Sequence, residues 1–158
     1  MIIRPATSAD ASDIWAILEP VIRAGETYAL DRDMSREAAL AFWLAHEAFV
    51  AEEEGVLVGT YYLRRNQAGG GGHVCNCGYM VRAEAAGRGV ARAMCEHSFA
   101  QARDRGYQGM QFNFVVSTNA RAVRLWQTMG FEIIGRVPGG FAHPRLGHVD
   151  ALMMYRAL

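Results

Sequence analysis

No stretch of this chain reaches the run of about eighteen apolar residues that a membrane-spanning helix needs. The opening MIIRPATSAD lacks the basic start and apolar run of a secretion signal. Three cysteines are too few, and odd in number, for a disulfide framework. An excess of charge of either sign is also missing. Sixteen basic and sixteen acidic side chains cancel, which gives no support to a nucleic-acid or membrane-surface partner. Repeats and linker-like segments are absent. The expectation is one domain over residues 1–158, cytoplasmic, with reduced thiols.

What is present reads as an alternation of strands and helices. MIIRP is a short strand, and Ser8 or Asp10 caps a helix carrying Ile14, Ile17, Leu18, Val21 and Ile22. Pro20 falls inside that helix, where it is expected to kink or end it. A polar loop (25–34) holds Glu26, Thr27 and Tyr28, and Ser35 opens a second helix. Residues 49–65 read as two strands joined by a turn at Glu54-Gly55. The glycine run at 69–72 is a loop, because a strand rather than a helix follows it. HVCNCGYMV (73–81) is a strand, in which Gly78 marks a bulge or a close backbone approach. A helix over 89–105, a strand over 110–116, a helix ending at Met129 and strands over 131–137 and 148–158 complete the order, with 138–147 as a loop. This is an α/β (α+β) arrangement of about seven strands and four helices. The central strand–helix–strand unit requires one parallel pair in an otherwise antiparallel sheet.

The strand at 73–81 runs into EAAGRGVARAM (84–94). Bare amides at a helix start are donors without partners, and they favour an anion. The backbone of Gly87, Arg88, Gly89, Val90 and Ala91 is placed to converge on phosphate oxygens, with Arg88 and Arg92 adding positive charge. The common nucleotide signatures do not fit. Arg92 stands where a dinucleotide fingerprint has its third glycine, and no Gly-Lys-Ser/Thr occurs.

The turn AGRGVA (86–91) resembles the Arg/Gln-x-x-Gly-x-Gly/Ala turn of the GCN5-related N-acetyltransferases (GNAT). Gly89 and Ala91 match, while Ala86 replaces the usual Arg or Gln. A second block, TNARAVRLWQTMGF (118–131), resembles that family's N-x-x-A-x-x-L-Y-x-x-x-G-F. The resemblance implies acetyl-coenzyme A as cosubstrate, held by the turn, by Asn119 and by the backbone of Met80 and Val81 on a strand that splays from its parallel neighbour. One of those two amides would polarise the thioester carbonyl. It also implies a homodimer, since dimers are common in the family.

In the family a tyrosine of the second block protonates the leaving thiolate. Here that position is Trp126, whose indole N–H donates but is no acid. Asparagines stand mid-strand at Asn76 and Asn113, where they are otherwise depleted. If the two strands are neighbours, both amides face one gap, where they can hold an amine and donate to an oxyanion; the competing reading is a buried asparagine satisfying splayed backbone. The text FNFVVSTN…AVRLW with GRVPGGFAHPRLGHVDALMMY is similar to the branch that contains fungal azetidine-2-carboxylate acetyltransferase. There, two strand asparagines bind substrate and support catalysis, and by position they match Asn76 and Asn113. That implies a small amino- or imino-acid-like acceptor.

Glu26, Thr27 and Tyr28 are candidates for the acceptor site, with Glu26 holding an ammonium and Tyr28 lining the pocket. Cys75 and Cys77 share a strand face without the partners of a zinc site, and no metal is expected. His97, His143 and His148 are secondary candidates. Two rivals to a small-molecule acetyltransferase stand beside it. One is a peptide or lysine N-acetyltransferase. The other is a coenzyme-A-binding sensor without turnover, for which Ala86 and Trp126 speak.

Overall fold

The computed structural model describes residues 1–158. The strands are β1 (Ile2–Pro5), β2 (Glu47–Glu53), β3 (Val56–Arg65), β4 (Val74–Val81), β5 (Gly109–Val116), β6 (Glu132–His143) and β7 (Gly147–Ala157). The helices are α1 (Ala11–Ala24), α2 (Arg36–Leu44), α3 (Val90–Asp104) and α4 (Ala120–Thr128). The strands form one sheet in the order β1-β2-β3-β4-β5-β7-β6. Only β4 and β5 run parallel; the remaining neighbours are antiparallel. This is the mixed, mostly antiparallel sheet that the element order predicts.

Side chains alternate across the strands, so the sheet buries two faces. One core cluster joins Tyr61, Leu63, Cys75 and Cys77 of the sheet to Met94, Cys95 and Phe99 of α3 and Trp126 of α4. The other joins Val50, Leu57, Tyr62 and Met80 to Ile14, Ile17 and Leu18 of α1 and Trp43 of α2. Helices therefore cover both faces, α1 and α2 on one and α3 and α4 on the other. Trp43 is fully buried, and its indole N–H donates to Thr60 Oγ1 at 3.0 Å. The Thr60 hydroxyl in turn donates to the Phe49 carbonyl at 2.8 Å, so the polar atom of the largest core residue is satisfied.

Three expectations are corrected. The helix does not end at Pro20: α1 continues to Ala24 and closes on Gly25 in the left-handed region. Pro20 and Ala16, whose carbonyl loses its intrahelical donor, lie on the exposed side, where water can satisfy that carbonyl. Residues 138–147 are not a loop, because β6 runs on to His143 and leaves a tight turn at 144–146. Pro138 is tolerated because β6 is the edge strand and because the ladder shifts register between Val137 and Phe141. Gly78 is no bulge, since the β3–β4 register is continuous. A Cβ there would stand 2.6 Å from the Tyr62 ring, so glycine is required by close approach.

The feature that positions the site is the short parallel ladder. β4 and β5 pair only at Val74–Gly109 and Cys75–Met110, and then they part.

Candidate active site

Two cavities meet at this parting. One, of about 810 Å³, lies between the start of α3 and α4. The other, of about 280 Å³, lies between the splayed strands and the loop after α1. Tyr79, Asn119, Ala122 and Trp126 line both.

The first cavity is built on the glycine turn. Gly87 and Gly89 adopt φ of +86° and +83°, the left-handed region that glycine enters without strain. The amides of Gly87, Gly89, Val90, Ala91 and Arg92 donate to no protein acceptor, and α3 has no side-chain cap. Nothing lies within 4 Å of where a Gly89 Cβ would stand, so the backbone is bare to the cleft. Gly87, Gly89, Val90, Ala91 and Arg92 all line it, as does the half-buried Val81. Arg92 reaches across to Thr128 Oγ1 at 3.2 Å. Arg88 does not join it: its guanidinium pairs with Glu53 on β2, away from the cleft, and its amide donates to the Ala85 carbonyl at 3.3 Å. Two cations that sequence reasoning passed over take its place. Arg121 and Arg124 project from α4 into the cleft lining, and neither forms an ion pair. Orphan amides, a helix N-terminus and three arginines without carboxylate partners suit a polyanion such as a pyrophosphate. Asn119 serves the fold as well, since its side chain accepts from the Ala122 amide and caps α4.

The parting of the strands decides which backbone groups face the gap. Arg82 N–H donates to Val58 O, and Val74 O accepts from Asn66 N–H, so even-numbered residues of β4 direct their backbone at β3. Odd-numbered residues face the gap. Val81 is therefore available, as expected, but Met80 is not: its backbone serves β3 and its side chain is buried against α1 and α2. Tyr79 takes the place given to Met80. Its carbonyl already accepts from the Tyr28 hydroxyl at 2.9 Å. That contact ties the loop after α1 to the mouth of the gap, and burial raises the Tyr28 phenol well above its ordinary range.

Asn76 and Asn113 both line the smaller chamber. Asn76 Nδ2 donates to the Gln111 carbonyl at 2.9 Å, and its Oδ1 accepts from Arg64 Nε at 3.1 Å. Gln111 Nε2 donates to Asn113 Oδ1 at 3.1 Å, and Asn113 Nδ2 donates to Asn66 Oδ1 at 2.7 Å. The two amides thus belong to one hydrogen-bonded chain, and Asn76 bridges the strands where the ladder has ended. Each amide still has one N–H and one acceptor lone pair unused. Trp126 packs its ring on Tyr79 and Phe112, both at 5.1 Å between centroids, in the wall that the two cavities share.

Of the loop candidates, Thr27 and Tyr28 line the chamber. Glu26 does not, because its carboxylate is held by Arg145 of the β6–β7 turn at 2.7 Å. His143 caps that same turn, with Nδ1 accepting from the amides of Arg145 and Leu146 at 3.2 Å. His148 is exposed and lines neither cavity. His97 sits 2.7 Å from the Tyr61 hydroxyl on the far side of α3, and burial lowers its pKa. Cys75, Cys77 and Cys95 are free and buried. Sequence reasoning missed Arg64, Tyr79, Arg121 and Arg124. Only the register of β3 on β4 and the position of α4 bring them to the site.

Comparison with known proteins agrees with this geometry. The profile of the acetyltransferase (GNAT) family matches residues 14–131, well over half of the chain. The N-acetyltransferase aca1 of Schizosaccharomyces pombe (strain 972 / ATCC 24843) is 26% identical over 149 residues, spanning 82% of this chain and 71% of that protein. Among solved structures, a GCN5-related N-acetyltransferase from Kribbella flavida superposes with a TM-score of 0.95 at 39% identity, covering 99% of this chain and 97% of that one. A GNAT superfamily phosphinothricin acetyltransferase from Sinorhizobium meliloti, solved in complex with AcCoA, shares the fold with a TM-score of 0.86 at 21% identity, covering 99% and 88%. The seven-stranded sheet with one splayed parallel pair, the glycine turn and these matches together mean that the chain belongs to the GNAT family of acetyltransferases.

Proposed function

We propose that this protein moves an acetyl group from acetyl-coenzyme A to the amine of a small amino- or imino-acid-like molecule. The observation that carries it is that the two cavities share a wall of Tyr79, Asn119, Ala122 and Trp126. A cleft of orphan amides and free arginines lies on one side of Tyr79 and Trp126, and a chamber of about 280 Å³ between parted strands lies on the other. The residues present fit the coenzyme: bare amides and Arg92, Arg121 and Arg124 suit its phosphates, and the gap-facing edge of β4 suits its amide-bearing arm.

When bound, the coenzyme supplies a thioester whose carbonyl carbon bonds to the acceptor nitrogen as the C–S bond breaks. The amine gives up one proton and the departing thiolate takes one. The chain's own groups position these partners. The Val81 amide is the gap-facing donor for the carbonyl oxygen. Asn76 and Asn113 hold the amine through their unused lone pairs. Tyr28 and Trp126 line the chamber and limit water around the reacting atoms. No carboxylate or imidazole lines the chamber, so the amine must enter neutral.

The peptide-acetylating reading has less support, because a chamber of this size, overhung by Thr27–Leu30, suits a small molecule. A cytoplasmic setting suits three free thiols. A second copy could pair along the edge strand β6, which exposes Ile133, Ile134 and Val137. The test is release of free thiol from acetyl-coenzyme A with a panel of amino acids, imino acids including azetidine-2-carboxylate, other small amines and a lysine peptide. Release confined to the amino and imino acids supports the reading. Release with the peptide alone overturns it, and bound coenzyme without release to any acceptor turns the reading to a sensor.

A further inference from the structure

Arg64 stands on β3 opposite Asn76 and lines the small chamber. It is the only formally charged residue in that lining. It forms no ion pair. Its one hydrogen bond runs from Nε to Asn76 Oδ1, and its guanidinium lies 5.8 Å from the centroid of the Tyr62 ring. The Nε edge is therefore committed, the plane is steadied against an aromatic ring, and both terminal nitrogens are free.

We infer that Arg64 is the acceptor's carboxylate receptor and that it sets the enzyme's preference for α-amino or α-imino acids; this rests on the function proposed above. A guanidinium with two free terminal nitrogens matches the two oxygens of a carboxylate as a parallel pair of charge-assisted bonds. What sets Arg64 apart is its place: it is the one charge in the wall of a small chamber, where an unshared guanidinium is completed by an anionic ligand. The sign of the charge carries a second consequence. A lone cation disfavours a second cation beside it, so an amine close to Arg64 is biased towards its neutral, nucleophilic form. An acceptor with its amine one carbon from its carboxylate uses both effects at once. A lysine side chain in a peptide has no carboxylate beside its amine and forgoes the first. Arg64 also fixes Asn76, so substrate anchoring and the bridge between the parted strands share one side chain.

The experiment compares each acid with its own amide: azetidine-2-carboxylate, proline and alanine against the matching carboxamides. The kcat/KM is referred to the neutral-amine fraction, in wild type, Arg64→Met and Arg64→Lys. Wild type should favour the acids by at least about tenfold, mostly through KM, as expected for loss of a charge-assisted pair. Arg64→Met should abolish that preference, acid and amide falling to a common kcat/KM, while acetyl-coenzyme A affinity, read by calorimetry, stays near wild type. Arg64→Lys should retain part of it. Wild type that treats acid and amide alike, or Arg64→Met that keeps the preference, overturns the assignment and leaves acetyl transfer standing. Bound coenzyme with neither acid nor amide acetylated overturns the proposed function and this inference with it. The acid–amide comparison in wild type decides the matter even where the methionine variant folds poorly.

Discussion

The side-chain amide of Asn76 donates to the backbone carbonyl of Gln111 at 2.9 Å, across the gap where β4 and β5 have already separated. One asparagine thus substitutes for the ladder bond that the splay removes. Asn76 is buried, and both ends of its amide are engaged. Asn76→Ala leaves a carbonyl without its donor, and it should cost roughly 1–3 kcal/mol of stability. A thermal melt reads this as a fall of several degrees. Asn113 bonds only to side chains, Asn66 and Gln111, so Asn113→Ala should cost less than about 1 kcal/mol. A large loss of turnover in a near-native Asn113→Ala would then belong to the chemistry. An unchanged melt for Asn76→Ala would remove its bridging role.

Gly89 holds φ at +83° and has open space where a Cβ would stand. Two effects separate here. Gly89→Ala should cost about 1–2 kcal/mol from backbone strain alone. Gly89→Glu adds a carboxylate at the ring of orphan amides and should abolish acetyl-coenzyme A binding in calorimetry. Retained binding by the glutamate variant would place the phosphates elsewhere.

Arg121 and Arg124 line the same cleft without carboxylate partners. The double variant Arg121→Ala/Arg124→Ala should weaken acetyl-coenzyme A binding by about tenfold at low salt, and by less at high salt, because exposed charge is screened. Binding of an acetylated pantetheine that lacks the nucleotide should be unaffected. Equal weakening of both ligands would mean that α4 itself had shifted.

Much of this was legible in the sequence because it is local. The glycine turn announces itself through Gly87 and Gly89, and the apolar spacing in α1 finds the buried face. The failures are cases where a local signal was overridden by position in the sheet. Pro138, Gly139 and Gly140 look like loop, yet the edge of a sheet needs no inner donor there and a register shift absorbs them. Met80 and Tyr79 cannot be told apart until the β3 register shows which carbonyls face the gap. Arg64 follows Leu63 in an ordinary strand; only its pairing with Asn76 gives it a site. Glu26 looked like an ammonium partner until Arg145, more than a hundred residues later, was brought against it.

The smaller chamber has no aspartate, glutamate or histidine in its lining. The pH dependence of kcat/KM should therefore follow the acceptor's own amine. Rates should rise with pH up to the pKa of that amine, and two acceptors of different basicity should shift the limb by the difference between them. A limb that stays at one pH for every acceptor would reveal a titrating group of the protein.

Stability has its own pH dependence, set far from the site. Asp10 is buried and accepts from Arg4 Nη1 and Nη2 at 2.9 and 2.8 Å, and from the Thr7 amide and hydroxyl at 2.7 and 2.9 Å. The hydrogen bonds from Arg4, ahead of those from Thr7, hold its carboxyl well below the usual range. The folded pKa lies below the unfolded one, so the unfolded chain takes up the proton first as acid is added. The contribution, of order 2 kcal/mol, is complete above the unfolded value near pH 4 and is lost as pH falls below it. Melting temperature should therefore drop between pH 5 and pH 2, taking those limits as roughly the window such a shift spans. Asp10→Asn should melt lower at pH 7 and lose part of that acid-side slope. A variant with the wild-type slope would assign the acid sensitivity to other carboxylates, with Asp150, held down by the Gly139 amide and Arg136, the next to test.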